Sequence, residues 1–206
     1  EVLDGLYDLY MVTYVEGEEI WDRQPKSLSV QEIDGEFTFI HITDIHIGDW
    51  LREIIGGQYS PLKNLGLVKG WQTVRKTIET INLLNPDFVI VTGDSTFGKG
   101  YKKEYGTLCE ILGEFAVPTF VIPGNHDVIH LVPSFQDGRE FYKRYIGPLS
   151  YSFDYGEAHF TMVDSNSGTP DILRLGVFGC SLTVIAYISD EEFEWIEHDL
   201  AASQDA

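Results

Sequence analysis

The chain is predicted to fold as an α/β domain built from βαβ units, preceded by a short β segment. From Phe37 onward, short apolar runs typical of buried strands alternate with segments of helical period, a pattern that indicates a mostly parallel sheet flanked by helices. Three of these strands are followed directly by carboxylate, amide and imidazole side chains. A length of 206 residues, 43% of them hydrophobic, is enough to bury the core of one good-sized domain. We therefore expect one domain over residues 37–206 and a separate β segment over residues 1–36.

The N-terminal segment is predicted to be a β-hairpin. Residues 6–15 are aromatic and β-branched, Glu16-Gly17 offers a turn, and residues 18–30 form a second extended stretch. A hairpin alone is only marginally stable in water. It would therefore pack on the main domain or, the alternative that we favour, form the end of an upstream β-sandwich domain. Residues 31–36 would then be a linker.

The βαβαβ pattern of the main domain can be followed element by element. Strands are predicted at 37–43, 88–92 and 118–122, and helices at 71–84 and 101–115. A glycine-rich loop over residues 48–70 is long enough to be functional. A helix at 138–146 and an antiparallel pair at 151–155 and 159–163 follow. The last helix starts after Ser189, a typical N-cap residue before an acidic first turn, and continues to about Leu200. Residues 171–188 give no clear pattern.

Charge and composition exclude some classes of partner. The net charge of −19 opposes attraction to phosphate backbones, so sustained nucleic-acid binding is not expected. No apolar run approaches the roughly 18 residues of a membrane span. The two cysteines form no CxxC pair, and neither the compartment nor the oligomeric state follows from the sequence.

The polar residues at the three strand ends predict a metal site. They are Asp44 and His46 after the first strand, Asp94 after the second, and Asn125, His126 and Asp127 after the third. The carboxyl ends of parallel strands meet at one edge of a sheet, which is where open α/β sheets build their sites. Oxygen and imidazole ligands of this kind suit Mn, Fe or Zn better than Ca²⁺. Two cations could share the set with one bridging carboxylate, and Asp94, central in sequence, is the best bridge.

Two such ions would polarise a phosphoryl oxygen and lower the pKa of a shared water, so that a bridging hydroxide exists near neutral pH. His126 is then placed to protonate a leaving oxygen or stabilise the transition state, and Asp127 to orient its ring. The sequence therefore predicts a metal-dependent hydrolase of phosphate esters, a phosphatase or a phosphodiesterase. The choice between monoester and diester stays open.

These motifs together resemble a known family. Asp44-x-His46, Gly93-Asp94 and Gly124-Asn125-His126-Asp127, in this order after strands, are similar to the first three motifs of the calcineurin-like metallophosphoesterase superfamily, and the similarity runs from Phe37 to the end of the chain. The resemblance implies a sandwich of two mixed sheets flanked by helices. It also implies that Asp44 and His46 hold the first metal, Asp94 bridges, Asn125 holds the second metal, and His126 with Asp127 forms the catalytic pair.

The chain departs from the family pattern in one important respect. Two further family motifs supply a lone histidine and a Gly-His-x-His after the helix that here covers residues 189–200. The chain reaches Ala206 without either motif, so we expect the domain to be C-terminally incomplete. The purple acid phosphatase branch resembles the chain poorly, because it has glycine where His46 stands and a metal-binding tyrosine where Phe97 stands.

Two other functions remain as alternatives. One is a non-catalytic metal-binding or phosphate-binding module, either a pseudoenzyme or an inactive fragment. More remotely, residues 93–100 nearly spell a nucleotide-binding P-loop. Gly100 replaces the Ser or Thr that should bind magnesium, and Asp94 inside the loop would repel a phosphate.

Overall fold

The computed structural model describes residues 3–33, 35–47, 70–98, 100–132, 136–177, 180–181 and 186–203. Most of the glycine-rich loop expected over 48–70 lies outside these residues. The strands are β1 Gly5–Val15, β2 Glu18–Val30, β3 Phe39–Ile42, β4 Phe88–Thr92, β5 Thr119–Ile122, β6 His130–Val132, β7 Gln136–Asp137, β8 Tyr151–Tyr155, β9 Ala158–Met162, β10 Leu175–Val177 and β11 Cys180–Ser181. The helices are α1 Gly70–Leu84, α2 Tyr101–Leu112, α3 Gly138–Tyr145 and α4 Asp190–Ser203, with a 3₁₀ turn at Asp171–Leu173.

A parallel sheet of order β3-β4-β5 forms the centre of the main domain. Ile42 pairs with Val91, and Val91 in turn pairs with Val121. One face of β4 packs with the apolar residues of α1 and α2. The opposite face, which carries Phe88 and Ile90, packs with side chains of the β8–β9 pair. The predicted α/β class and the parallel βαβαβ order are confirmed.

The remaining strands are short. β8 and β9 pair antiparallel with each other, as predicted. β10 pairs parallel with β6 and antiparallel with β11, and β7 completes this sheet of order β11-β10-β6-β7. The family resemblance implied two mixed sheets. Among the described strands the central sheet is wholly parallel, and the mixed pairing occurs in the sheet of short strands. Ser189 was predicted to be the N-cap of α4. The structure confirms this, because Ser189 Oγ accepts the N–H of Glu192 at 3.1 Å.

The N-terminal hairpin is confirmed as a long antiparallel pair of β1 and β2. It is tied to the main domain near its base. The Lys26 ammonium donates to the carbonyl oxygens of Gly113 and Phe115, each at 2.6 Å, and Tyr155 donates to the Gln31 amide oxygen at 2.7 Å. The division into a β segment and a main domain remains a prediction.

None of the helices within the described residues has the length and apolar character needed to cross a bilayer.

Candidate metal centre

The loops after β3 and β4 stay paired beyond the strands. The N–H groups of Asp44, His46 and Ile47 donate to the carbonyls of Gly93, Asp94 and Ser95 at 3.2, 2.8 and 2.8 Å. Along this ladder Asp44, His46 and Asp94 have φ angles of 56°, 46° and 48°. Residues with side chains rarely adopt this left-handed region, and such strain persists where the surroundings over-determine it. The backbone pairing thus fixes the side chains of three predicted ligands.

The loops after β4 and β5 approach each other through two glycines. Gly93 has a φ of 79°, and a Cβ there would lie 2.7 Å from the Gly124 Cα. A Cβ on Gly124 would in turn meet the backbone nitrogen and carboxylate of Asp94. Because neither glycine has a side chain, the Asp94 carboxylate reaches the third loop and accepts the His126 N–H at 2.9 Å.

Ligand atoms of His46, Asp94 and His126 lie within 4.8 Å of one another. His46 Nε2 is 3.5 Å from an Asp44 oxygen and 3.8 Å from an Asp94 oxygen, distances that exceed ordinary hydrogen bonds. His46 Nδ1 is buried and has no hydrogen-bond partner in the described part of the chain. A donor set of two imidazoles and one carboxylate fits a transition metal such as Mn, Fe or Zn. Asn125 is half-buried and directly precedes His126 in the same loop.

The His126 ring is held by a backbone carbonyl. His126 Nδ1 lies 3.0 Å from the Phe97 carbonyl oxygen. A carbonyl only accepts, so Nδ1 carries the proton and Nε2 presents its lone pair or a second proton. The Phe97 ring lies 5.4 Å from the His126 ring and 5.8 Å from the His46 ring. It packs against both imidazoles and offers no oxygen to a metal.

The Asp127 carboxylate is held by donors of two neighbouring loops. Its side chain is fully buried, and its oxygens accept from the N–H groups of Gly124, Ser95 and Thr96 at 2.9, 3.1 and 2.7 Å, and from the Thr96 hydroxyl at 2.9 Å. Burial raises the pKa of Asp127, while these donors act in the opposite direction. The hydrogen bonds of Asp127 within the described residues do not include the His126 ring, whose Nδ1 lies against the Phe97 carbonyl, so the pairing of His126 with Asp127 stays a prediction. Asp127 joins the loops after β4 and β5.

These contacts also bear on the P-loop alternative. A P-loop needs free backbone N–H groups to cradle phosphate. The N–H groups of Ser95 and Thr96 are engaged by Asp127. These two N–H groups are therefore not free to bind a phosphate, which counts against the P-loop alternative.

The sequence motifs did not reveal several residues that shape the centre. Thr96, which donates its N–H and hydroxyl to Asp127, and the Phe97 carbonyl were missed, because such backbone and short-range contacts leave no pattern in a sequence. Tyr101 and Tyr105 on α2 were also missed, although their spacing of four residues places both on one face of a helix. Their hydroxyls donate to the carbonyls of His126 and Asp127.

Comparisons with known proteins identify the family of the chain. The calcineurin-like phosphoesterase family matches residues 37–197, more than half of the 206-residue chain, and the chain belongs to this family. It is 32% identical over 91 residues to a protein named "Probable cyclic nucleotide phosphodiesterase" from Vesicomyosocius okutanii subsp. Calyptogena okutanii (strain HA), a match that covers 44% of this chain and 34% of that protein.

Among solved structures, the chain is similar to a purple acid phosphatase isolated from yellow lupin (Lupinus luteus) seeds. The identity is 18% and the TM-score 0.49, over 90% of this chain and 31% of the other. In both comparisons the matched part spans about a third of the relative's length.

Proposed function

We propose that the protein is a metal-dependent hydrolase of phosphate esters that uses two transition metal ions. The observation that carries this proposal is the convergence of His46, Asp94 and His126 from three strand-end loops, with ligand atoms within 4.8 Å. Membership of the calcineurin-like phosphoesterase family over residues 37–197 supports it.

Each side chain has a defined part in this proposal. Asp44 and His46 would hold one metal ion, Asn125 the other, and Asp94 would lie between them. Bound ions of this kind polarise a phosphoryl oxygen and lower the pKa of a water molecule. His126, with its proton at Nδ1 fixed on Phe97, presents Nε2 toward the substrate oxygen. Asp127 holds the turn that carries Asn125 and His126.

A phosphodiester is the first substrate to test, because the curated relative is named as a probable cyclic nucleotide phosphodiesterase. Hydrolysis of bis(p-nitrophenyl) phosphate and of p-nitrophenyl phosphate, with and without added Mn²⁺, would separate diesterase from monoesterase activity. Elemental analysis of the purified whole protein gives the metal content, and about two ions per chain are expected.

The substitution Asp94→Asn tests the assignment of the bridge. The asparagine oxygen can still accept the His126 N–H, so the fold should survive while the bridging charge is lost. We expect metal-dependent turnover to fall by more than about 100-fold, since even indirect partners of metal ligands cost about 10–100-fold. Asp22→Asn, which changes an exposed carboxylate of the hairpin, is the matched control.

The outcomes distinguish the two candidate functions. Full activity in Asp94→Asn would refute the bridging role. Metal binding by the wild type with no turnover of either ester would favour the non-catalytic metal-binding module.

A further inference from the structure

The buried side of the turn at His126-Asp127 rests on two tyrosines of α2. Tyr101 and Tyr105 are both 0% exposed. The Tyr101 hydroxyl donates to the His126 carbonyl at 2.8 Å, and the Tyr105 hydroxyl donates to the Asp127 carbonyl at 2.9 Å. We propose that these tyrosines are positioning residues of the metal centre, a role that rests on the proposed function.

The two hydroxyls fix consecutive peptide groups. The peptide between His126 and Asp127 is held at its oxygen by Tyr101 and at its nitrogen by the Gly124 carbonyl, 3.2 Å away. The next peptide is held at its oxygen by Tyr105 and at its nitrogen by the Asn125 carbonyl, 3.4 Å away. Neither plane can rotate without breaking a bond at each end.

The fixed peptide planes determine the position of the His126 ring and, through the His126 N–H, of the Asp94 carboxylate. The His126 N–H binds the Asp94 carboxylate at 2.9 Å, and its ring binds the Phe97 carbonyl at 3.0 Å. A rotation of the peptide after His126 would move its Cα, its ring and its hold on Asp94 together. Tyr101 thus acts on two members of the cluster through the main chain of one of them.

The surroundings leave the tyrosines little freedom. A Cβ on Gly138 would lie 2.7 Å from the Tyr101 hydroxyl, and one on Gly98 would lie 3.3 Å from it. The two tyrosine rings are 5.6 Å apart, and Phe141 packs on Tyr101 at 5.8 Å. Burial raises the pKa of both phenols, which keeps them as hydrogen-bond donors.

The test compares Tyr101→Phe and Tyr105→Phe with a control elsewhere in the same core. Tyr142 and Tyr151 both donate to the Val121 carbonyl within β5, at 2.7 and 2.9 Å. The double variant Tyr142→Phe/Tyr151→Phe therefore also leaves one buried carbonyl without its tyrosine donors. Mn²⁺ affinity is measured by calorimetry on the whole protein. The His126 ring ¹⁵N signals are recorded by NMR without metal.

We expect Tyr101→Phe to weaken Mn²⁺ binding by about 10-fold, at the lower end of the effect of indirect partners of metal ligands. Tyr105→Phe should act in the same direction, and the control should stay within about twofold of wild type. The His126 ring signals should shift in Tyr101→Phe and not in the control.

Equal losses of thermal stability in variants and control, with Mn²⁺ affinity and ring signals unchanged, would overturn the positioning role. A wild type that binds no Mn²⁺ would count against the proposed function alone. In that case the His126 ring signals still test the positioning role. An unchanged signal in Tyr101→Phe overturns that role, and a shifted signal supports it.

Discussion

Strands β1 and β4 have similar strand-forming sequences but opposite environments. In β4, Phe88, Val89 and Val91 are 0% exposed. In β1, Leu9 and Met11 are 58% and 61% exposed. β4 has a neighbour on each edge and is covered on both faces, whereas β1 pairs only with β2 among the described strands. Strand propensity predicts extended backbone, and burial depends on what the topology places around it.

The difference in burial between β4 and β1 explains why the candidate site lies at the end of β4. The loop after β4 is fixed by the loops on both sides of it, so that Asp94 can hold an unfavourable φ of 48°. At the hairpin turn Glu16 has a φ of 52° beside Gly17, between the paired residues Val15 and Glu18 of β1 and β2. The positive φ of Asp94 positions a side chain of the candidate site, whereas the positive φ of Glu16 allows the chain to reverse between β1 and β2.

The hairpin also has two distinct faces. The register of β1 with β2 places aliphatic residues on one face and aromatic residues on the other. The aliphatic face carries Leu9, Met11, Val15 and Ile20, and the aromatic face carries Tyr10, Val12, Tyr14 and Trp21. On the aromatic face the Tyr14 hydroxyl and the Trp21 indole N–H both donate to the Glu19 carboxylate, at 3.1 and 3.2 Å.

The largest effect is expected at the sheet edge, from Gly124→Ala. The new methyl group would overlap the Asp94 nitrogen and carboxylate, so the loops after β4 and β5 must separate. We expect a loss of about 1–3 kcal/mol of unfolding free energy from overpacking, together with loss of Mn²⁺ binding. Denaturant unfolding and calorimetry measure the two effects.

Gly106→Ala is the matched control, because a Cβ at Gly106 within α2 meets nothing within 4 Å. It should leave metal binding intact and stabilise the helix by up to about 1 kcal/mol. Wild-type metal affinity in Gly124→Ala would show that the loops can separate without damage to the site.

The sequence predicts β4 with correct bounds, because a continuous apolar run lies between Pro86 and Gly93. It does not predict β6 and β10, because three residues are too few to show a period. These strands depend instead on Arg174, whose carbonyl accepts the His130 N–H at 2.8 Å and whose guanidinium binds the Asp137 carboxylate at 2.9 Å.

For the candidate site, the motifs predict which loops converge, since strand order determines the edge on which they meet. They do not predict the partner of the His126 ring or the role of Asp127. Those depend on the positions of one backbone carbonyl and three backbone amides, groups that almost any residue type would provide. Side-chain identity is thus readable from sequence, whereas backbone partners are not.

An intermediate effect is expected where α4 attaches to β8 and β9. The Asp199 carboxylate on α4 accepts from the Ser152 and Thr161 hydroxyls at 2.6 and 2.9 Å, and lies 2.9 Å from His159 Nε2. The other His159 nitrogen lies 2.6 Å from an Asp154 oxygen. Asp199 and then Asp154 raise the pKa of His159, and Ser152 and then His159 lower the pKa of Asp199.

The sign of the pH dependence follows from these shifts. The raised pKa of His159 means that its contribution is complete below about 6.5, its ordinary value, and is lost as pH rises through the folded-state value. The lowered pKa of Asp199 means that its contribution is present above about 3.9 and is lost as pH falls. Attachment of α4 should therefore be tightest between about pH 4 and 6.5.

Hydrogen exchange of the α4 amides, corrected for intrinsic rates, measures this attachment. Protection should fall several-fold from pH 6 to pH 8.5 in the wild type. His159→Gln should show the lower protection already at pH 6, and His198→Gln, on an exposed position of α4, should behave like wild type. A His159→Gln variant with the wild-type pH profile would exclude His159 as the titrating group.

The smallest effect is expected in the hairpin, from Met11→Ser in the 206-residue chain. Met11 is 61% exposed, and exposed substitutions usually change unfolding free energy by less than about 0.5 kcal/mol. Tyr14→Ser, on the aromatic face and 68% exposed, is the control. The same two variants, made in a gene product that carries the predicted upstream β-sandwich, test that prediction. If the aliphatic face packs on that domain, Met11→Ser should destabilise the whole protein more than Tyr14→Ser, by more than about 1 kcal/mol. Equal, small effects in both contexts would mean that the hairpin's aliphatic face stays in water, and the contrast with β4 would then hold for the whole protein.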